Sequence, residues 1–223
     1  AILGHTRWAS VGIISEPNIH PLNSFELEQP GGAQPPYVVA ALNGDVDNHA
    51  DLRVAHGLRI ASTITTDAKV IPALVARHAT TTDLTEAFRR TVCEFEGSVA
   101  IGVASAQAPS RLFLALRGSG QGLYIGLADD CYIVASEPYG VVEETSKYVR
   151  MDGEQGGEIV VLDGDRAAKD LRSRRLFGLG AALLLDELLD LARGVELAPL
   201  PSRYRDFTVW QLEQLRALGY TEG

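Results

Sequence analysis

The sequence predicts an α+β protein in which antiparallel strands form a sheet and helices cover one of its faces. Three features indicate this fold class. Short apolar segments follow one another along the second half of the chain, turns rich in Gly, Ser or Asp separate them, and two helical segments precede them. Strands that are neighbours in sequence favour antiparallel pairing, and helices in the middle of the strand order are expected on one face of the sheet.

The first half of the chain contains one buried strand and two helices. Residues 36–46, PYVVAALNGDV, form an apolar run with Asn-Gly near its end, which predicts a buried strand that closes in a tight turn. Residues 67–78 carry apolar side chains at helical spacing, with Pro72 in the first turn, where a missing N–H costs little. The second helix begins after Asp83, a preferred cap residue that Glu86 follows three positions later.

Short strands dominate after Gly97. Their predicted ranges are 98–105, 111–117, 122–128, 131–136 and 157–163. The GSGQG segment at 118–122 suggests a phosphate-binding loop, but it joins two strands and no helix or Gly-Lys-Ser/Thr follows it. We therefore predict a hairpin turn there.

The character of the chain changes after about Asp165. A charged stretch is followed by a Leu-rich segment, 176–192, that predicts a helix without a core of its own. Its part at 183–191 suits an oligomer contact, although ordinary packing is the more common role of such a helix. The predicted division of the chain is a domain over 1–165 and a helical extension over 166–223.

Composition disfavours several classes of function. Acidic residues outnumber basic ones by 29 to 20, giving a net charge of −9, whereas nucleic-acid binding needs clustered Lys and Arg. The two cysteines, Cys93 and Cys131, are far apart, which suits a reducing cytoplasm. The histidines form no metal motif, so no metal and no cofactor is expected. The apolar stretch 176–192 is too short and too charged to span a bilayer, so no membrane partner is expected.

Five segments in order resemble the motifs of class II glutamine amidotransferases. They are GHTRWASVG (4–12), similar to GHTRWATHG; NIHP (18–21), similar to NAHP; LNGDVDNH (42–49), similar to HNGIIENH; TTD (65–67), similar to ETD; and ASEPYGVVEETSKYV (135–149), similar to the family's ASD segment. Within this family the chain looks most like the glutaminase domain of glutamine–fructose-6-phosphate aminotransferases, over roughly residues 3–165. The resemblance implies the four-layer α/β/β/α sandwich of N-terminal-nucleophile hydrolases.

The resemblance also assigns roles in binding free L-glutamine. Arg7 would bind the α-carboxylate with its planar guanidinium, and Asp67 would pair with the α-ammonium. The Asn43 side chain and the Gly44 N–H would form the oxyanion hole. Each residue type also has an ordinary structural role: an ion pair for Arg7, a helix N-cap for Asp67 and a hairpin turn for Asn43-Gly44.

Three further residues of these motifs are expected at the glutamine site. Trp8 would form part of the pocket wall, although a core position is equally consistent with the sequence. Ser10 replaces the family Thr and keeps its hydroxyl for a hydrogen bond with the substrate. Val11 replaces the family His, so a contact there falls to the backbone. His20 is expected to order its loop by hydrogen bonding and not to act as a base.

The family mechanism uses a cysteine at the mature N-terminus. Its thiolate attacks the amide, assisted by its own α-amino group, whose pKa of about 8 suits a base at neutral pH. Cys93 and Cys131 are not candidates, because each is predicted to be a small core residue. We therefore expect the nucleophile and the first strands of the fold to precede Ala1 in the complete protein, and this chain alone to be inactive.

The expected function is hydrolysis of L-glutamine to glutamate and ammonia. Ammonia would be passed to a sugar phosphate, fructose 6-phosphate, giving glucosamine 6-phosphate for amino sugar biosynthesis in the cytoplasm. The expected partner is a sugar-phosphate isomerase domain or subunit, within a homo-oligomer. The alternative is a degenerate, non-catalytic glutamine-binding or scaffolding domain, which the changes at Ser10 and Val11 favour. A glutaminase that serves another acceptor is a third interpretation.

Overall fold

The structure is a computed structural model that describes residues 1–6, 11–27, 35–128, 131–154, 156–167, 175–178 and 182–184. Residues 166–167, 175–178 and 182–184 are described by their backbone only. Within these ranges, no helix combines the length and the apolar character that crossing a bilayer requires.

The described part of the chain contains ten strands and five α-helices. The strands are β1 (Leu22–Asn23), β2 (Val38–Gly44), β3 (Val99–Ser105), β4 (Ala108–Arg117), β5 (Tyr124–Leu127), β6 (Tyr132–Ala135), β7 (Tyr148–Arg150), β8 (Glu158–Asp163), β9 (Arg175–Gly178) and β10 (Ala182–Leu184). The α-helices are α1 (His49–Ala55), α2 (Val70–His78), α3 (Leu84–Cys93), α4 (Tyr139–Val142) and α5 (Gly164–Ala167). Two 3₁₀ helices, Glu16–Asn18 and Asp67–Lys69, lie before β1 and α2.

The strands form two antiparallel sheets. The larger sheet has seven strands in the order β1-β2-β3-β4-β8-β9-β10, and the smaller has three in the order β6-β5-β7. Every pair in both sheets is antiparallel. The prediction of antiparallel strands with helices on one face is confirmed.

Strand alternation divides the larger sheet into two faces. On one face, residues such as Ile101 of β3 and Phe113 of β4 pack against Leu74 of α2 and Phe88 of α3 in the larger core. This contact confirms the prediction that helices cover one face of the sheet. This core includes large, completely buried side chains such as Phe88 and Leu74.

The opposite face of the larger sheet packs against the smaller sheet. Leu114 and Leu116 of β4 meet Leu123 and Ile125 near β5 in a second, smaller core. Helix α4 lies on the outer side of the smaller sheet and contacts β5 and β6. The layers are therefore helices, larger sheet, smaller sheet and the single turn of α4, which is the predicted α/β/β/α arrangement.

The two helices are confirmed with their local signals. Asp83 caps α3, because its carboxylate accepts hydrogen bonds from the backbone N–H groups of Thr85 and Glu86 at 2.9 and 3.1 Å. Pro72 lies in the first turn of α2, where its missing N–H leaves no helical hydrogen bond unmade.

Three predictions are wrong, two about turns and one about a helix. β2 does not turn back at Asn43-Gly44, because both residues remain paired with β3 and α1 follows. The loop 118–122 is not a hairpin turn, since β4 belongs to the larger sheet and β5 to the smaller one. The helix predicted over 176–192 is contradicted by β9 and β10, which extend the larger sheet; its other residues lie outside the described part of the chain.

The two cysteines are also not core residues. Cys93 and Cys131 are both exposed, which contradicts the predicted burial. Cys93 lies on the last turn of α3, where its thiol accepts a hydrogen bond from Arg89 at 3.5 Å. Their side chains therefore do not contribute to either core.

Candidate functional site

A cavity of about 560 Å³ lies between the two sheets, beside the smaller core. Its volume is within the range of small-molecule sites. Small residues on the inter-sheet face of the larger sheet leave this space open: Ala41 on β2 and both Ala100 and Gly102 on β3. Leucines, as at Leu114 on the neighbouring β4, occupy the corresponding face farther along the sheet. The cavity therefore lies where the side chains on the inter-sheet face are too small to fill the space between the sheets.

The end of β2 forms one wall of the cavity. Alternation places Ala40 and Leu42 in the helix-side core, so Asn43 points to the opposite face, where it is exposed and lines the cavity. Gly44 follows with φ of 98°. A Cβ at this position would lie 2.0 Å from the backbone oxygen of Ser98, so only glycine fits here. The close approach of β2 and β3 fixes the Asn43-Gly44 backbone.

Asp67 lies on the same cavity and is tied to the end of β2. Its side chain is buried, and Oδ2 accepts a hydrogen bond from the Val46 N–H at 2.8 Å. The Thr66 hydroxyl donates to Oδ1 at 3.2 Å. Burial raises the pKa of the Asp67 carboxyl above its ordinary value; these two hydrogen bonds oppose the rise and nearby Asp45 adds to it. A buried carboxylate with a raised pKa is a group that gains from a cationic partner.

Asp67 does not cap its own helix. The cap position of the 3₁₀ helix belongs to Thr66, which makes no side-chain cap hydrogen bond, and Asp67 is the first helical residue. The carboxylate instead connects two separate segments, the helix start and the residues after β2. The alternative of a simple N-cap is therefore not supported.

Asn18 fixes the backbone just before Asp67. This completely buried side chain donates to the backbone oxygen of Ile13 at 3.0 Å, and its Oδ1 accepts from the backbone N–H groups of Thr65 and Thr66 at 2.8 and 3.1 Å. Gly12 packs on the same two threonines, and a Cβ on it would lie 2.9 Å from Thr65 Oγ1. The loop that carries the NIHP segment is thereby joined to the segment that carries Asp67.

His20 also faces the cavity. Its ring is buried, and the Leu42 N–H approaches Nδ1 at a long 3.4 Å. The ring of His5 lies next to it, with ring centroids 4.7 Å apart. The position of His20 against the backbone of β2 agrees with the expected ordering role, which stays a prediction.

The structure brings four of the predicted site residues together. Asn43, Gly44, Asp67 and His20 all line the cavity. Arg7, Trp8 and Ser10 lie outside the described residues, but Thr6 and Val11 on either side of them line the same cavity. Neither Cys93 nor Cys131 lines it.

The sequence prediction missed several polar residues of the cavity, including Asp45 and Gln121. Asp45 stands where the family motif has an apolar residue, and that departure was visible in the sequence. Gln121 belongs to the loop that was interpreted as a turn, and its Cγ lies 3.2 Å from the position of a Cβ on Gly44. No local signal in the sequence could predict the position of Gln121, because that position depends on β5 belonging to the smaller sheet.

Sequence relatives carry the name of one enzyme. The chain is 33% identical over 156 residues to a glutamine–fructose-6-phosphate aminotransferase (isomerizing) of Geobacillus kaustophilus, covering 68% of this chain and 24% of the relative. With the enzyme of that name from Acidithiobacillus ferridurans the identity is 31% over 226 aligned positions, covering 98% of this chain and 33% of the relative. The chain belongs to the class II glutamine amidotransferases. No protein-family model matches it.

Two solved structures share the fold. The glutamine phosphoribosylpyrophosphate amidotransferase of B. subtilis, complexed with ADP and GMP, superposes with a TM-score of 0.54 at 23% identity, covering 72% of this chain and 32% of that one. A structure described as the allosteric regulatory enzyme of purine biosynthesis gives 0.53, also at 23% identity, with coverages of 76% and 35%. These likenesses concern the fold of the class II amidotransferase domain.

The chain spans about a quarter to a third of the length of the relatives it matches, between 23% and 33%. The names of those relatives therefore describe proteins that are much longer than the aligned segment.

Proposed function

We propose that this chain forms the glutamine-binding site of a glutaminase, which hydrolyses L-glutamine to glutamate and ammonia. The observation that carries the proposal is the meeting of Asp67 with Asn43 and Gly44 at one cavity, through the hydrogen bond from Val46 to the Asp67 carboxylate. An anion for the substrate ammonium and amide donors for a developing oxyanion are the groups such a reaction needs.

Substrate binding would use the two charged ends of glutamine. Asp67 takes the α-ammonium, which compensates the burial of its carboxylate. Arg7 takes the α-carboxylate through two parallel hydrogen bonds. The side-chain amide then extends toward Asn43 and Gly44 at the end of β2.

The chemical step would be attack on the amide carbon. A thiolate, supplied by the N-terminal cysteine that the family uses, adds to the carbonyl, and the negative oxygen is stabilised by the Asn43 amide and the Gly44 N–H. The C–N bond breaks and ammonia leaves after taking a proton. Water then hydrolyses the thioester, releasing glutamate and restoring the thiol.

The acceptor of the ammonia is proposed from the names of the relatives. Glutamine–fructose-6-phosphate aminotransferases indicate fructose 6-phosphate, with glucosamine 6-phosphate as the product. A sugar-phosphate isomerase domain or subunit would then act with this chain, within a cytoplasmic homo-oligomer.

The test is an Asp67→Asn substitution in the full-length protein, compared with Asp51→Asn on the exposed surface of α1. The substituted carboxamide still offers an oxygen to the Val46 N–H but has no charge for the ammonium. We expect the dissociation constant for L-glutamine, measured by calorimetry, to rise about 10- to 100-fold, since a charge-assisted hydrogen bond contributes about 1.5–3 kcal/mol. Asp51→Asn should leave it unchanged.

The same experiment has a pH dependence with a definite sign. The ammonium pairs only with ionised Asp67, whose pKa is raised, so wild-type affinity should fall as the pH is lowered through that pKa. Asp67→Asn should show no such fall. Equal glutamine affinity in both variants would refute the proposed site. Tight binding without any ammonia release would instead support the non-catalytic alternative.

A further inference from the structure

The loop between β4 and β5 carries a polar side chain into the cavity. This loop crosses from the larger sheet to the smaller one, and Gln121 is its residue on the cavity wall. Its side chain is half-buried and lies against Gly44, with Cγ at 3.2 Å from the position of an added Cβ. The aliphatic part of Gln121 therefore covers one of the two residues proposed for the oxyanion hole.

The backbone on either side of Gln121 is held in place. Gly118, with φ of 82°, donates its N–H to the backbone oxygen of Gly153 at 2.9 Å. The hydroxyl of Ser98 donates to the backbone oxygen of Ser119 at 2.5 Å. Leu123, two residues after Gln121, is buried in the smaller core. Anchors on both sides restrict the positions that the Gln121 side chain can take.

The carboxamide of Gln121 has hydrogen-bonding capacity to spare. No group in the described part of the chain forms a hydrogen bond with it, in contrast to the buried amide of Asn18 with its several partners. A primary carboxamide offers two N–H donors and an oxygen acceptor on one plane. Another primary carboxamide matches both functions at once.

We propose that Gln121 binds the side-chain carboxamide of the substrate and thereby selects the amide over the corresponding acid. The Gln121 oxygen accepts an N–H of the substrate amide, and its own N–H donates to the substrate oxygen. Glutamate has no N–H on its side chain, so the oxygen of Gln121 would face a carboxylate oxygen without a proton between them. This inference rests on the proposed function, because it requires glutamine in the cavity.

The experiment is Gln121→Met in the full-length protein. Methionine preserves the length and much of the volume of glutamine but removes both hydrogen-bonding functions. Dissociation constants are measured for L-glutamine, L-glutamate and L-norleucine, in the cold and before appreciable turnover. Norleucine retains the α-amino and α-carboxyl groups but has no carboxamide. Gln107→Met, in the exposed turn between β3 and β4, is the matched control.

We expect Gln121→Met to weaken L-glutamine binding about 3- to 10-fold, as for the loss of hydrogen bonds to a neutral group. Norleucine binding should be unchanged, and the preference for glutamine over glutamate should decrease by at least the same factor, because the repulsion of the glutamate carboxylate is removed as well. Gln121→Glu should accept from the amide but repel glutamate, so it should retain or increase that preference. A merely structural role of Gln121 would weaken all three ligands together.

Two failures can be separated. If glutamine binding depends on Asp67 while Gln121→Met leaves the ratio of the glutamine and glutamate constants unchanged, the inference about Gln121 is wrong and the proposed function stands. If wild-type protein does not bind glutamine, or Asp67→Asn has no effect, the proposed function itself fails and Gln121 has no such substrate.

Discussion

The two faces of the larger sheet are built from the same strands but contain different chemistry. On the helix side, β2 contributes Val38, Ala40 and Leu42, which are buried in an apolar core. On the side of the smaller sheet the same strand contributes Ala41 and then Asn43, and the space beside them stays open. A shift of one residue along the strand separates a position that contributes stability from one that is available to a ligand.

Packing volume accounts for the difference between the faces. The helix-side core holds aromatic side chains such as Phe88 and Phe113, whose rings meet edge to face at 6.0 Å. The inter-sheet face near β2 and β3 has alanine and glycine at the matching positions, Ala41, Ala100 and Gly102. The helix side therefore holds the sheet rigidly, and the other side can use that rigidity to present polar groups.

The largest expected effect is a loss of stability from a substitution in the helix-side core. Phe88→Ala removes a completely buried ring from between α3 and β4, and the cavity it leaves should lower the free energy of unfolding by about 3–5 kcal/mol. Urea denaturation provides the measurement. Phe25→Ala, at a largely exposed phenylalanine, is the matched control and should cost much less.

The comparison of the two faces predicts that Phe88→Ala lowers stability without changing the affinity of the folded protein for glutamine. The fraction of protein that remains folded should bind glutamine with wild-type affinity, whereas Asp67→Asn should lose affinity without losing stability. The buried Asp67 is destabilised in its ionised form, as its raised pKa indicates, so the neutral amide is not expected to lower the free energy of unfolding at pH 7. A loss of both properties in either variant would show that the two faces are not independent.

A smaller effect is expected at the boundary between the faces. Gly44→Ala must place a Cβ against the Ser98 backbone oxygen at a positive φ, which should cost about 2–3 kcal/mol in the free energy of unfolding. It should also displace the Gln121 side chain and weaken glutamine binding. Gly156→Ala is the matched control, because Gly156 has a φ of 91° but open space around its Cβ position.

The two glycine variants separate strain from collision. If both lose the same stability, the backbone conformation alone accounts for the cost, and the close approach of β2 to β3 is not a constraint. A larger loss for Gly44→Ala, accompanied by weaker binding, is the expected result of thermal unfolding and calorimetry.

Local signals in the sequence predicted the elements that depend on local contacts. The cap at Asp83 satisfies the N–H groups of the two residues that follow closely in the chain, so the start of α3 is fixed within one turn. The strands were also predicted from a local signal, the short apolar runs between turn residues. These runs are apolar because residues on both faces of the larger sheet are buried. The motif resemblance then supplied the family and the four layers, which composition alone did not.

Predictions failed where the partner of a segment is distant in sequence. Asn-Gly favours a hairpin, but the neighbour of β2 is β3, which begins at Val99, and pairing with it continues through Gly44. The loop at 118–122 contains ordinary turn residues, yet β5 leaves for the smaller sheet, and this alone brings Gln121 to the cavity. Residues such as Gln121 therefore could not be predicted from the sequence, because the arrangement of the two sheets determines whether they line the cavity.

A pH-dependent effect is expected at a second polar group on the inter-sheet side. Glu158 at the start of β8 pairs with Leu116, and alternation sets it on the same face as the apolar Val160 and Leu162. Burial raises the pKa of Glu158 to about 7, and the neighbouring charge of Asp152 adds to the rise, although the Asp152 N–H donates to the carboxylate at 2.8 Å. The helix-side positions of the same strand, Ile159 and Val161, carry no such group.

Stability should therefore fall as the pH rises through the window between 4.5, the ordinary value of the Glu158 pKa, and about 7. In that window the folded state retains a proton that the unfolded chain has released, so ionisation favours unfolding. Glu158→Gln keeps an acceptor for the Asp152 N–H and removes the titration. Its melting temperature should exceed that of the wild type at pH 8 and match it at pH 4.5, with the exposed Glu154→Gln as control. An equal difference at both pH values would mean that Glu158 does not titrate between them, and the raised pKa expected from its burial would then be wrong.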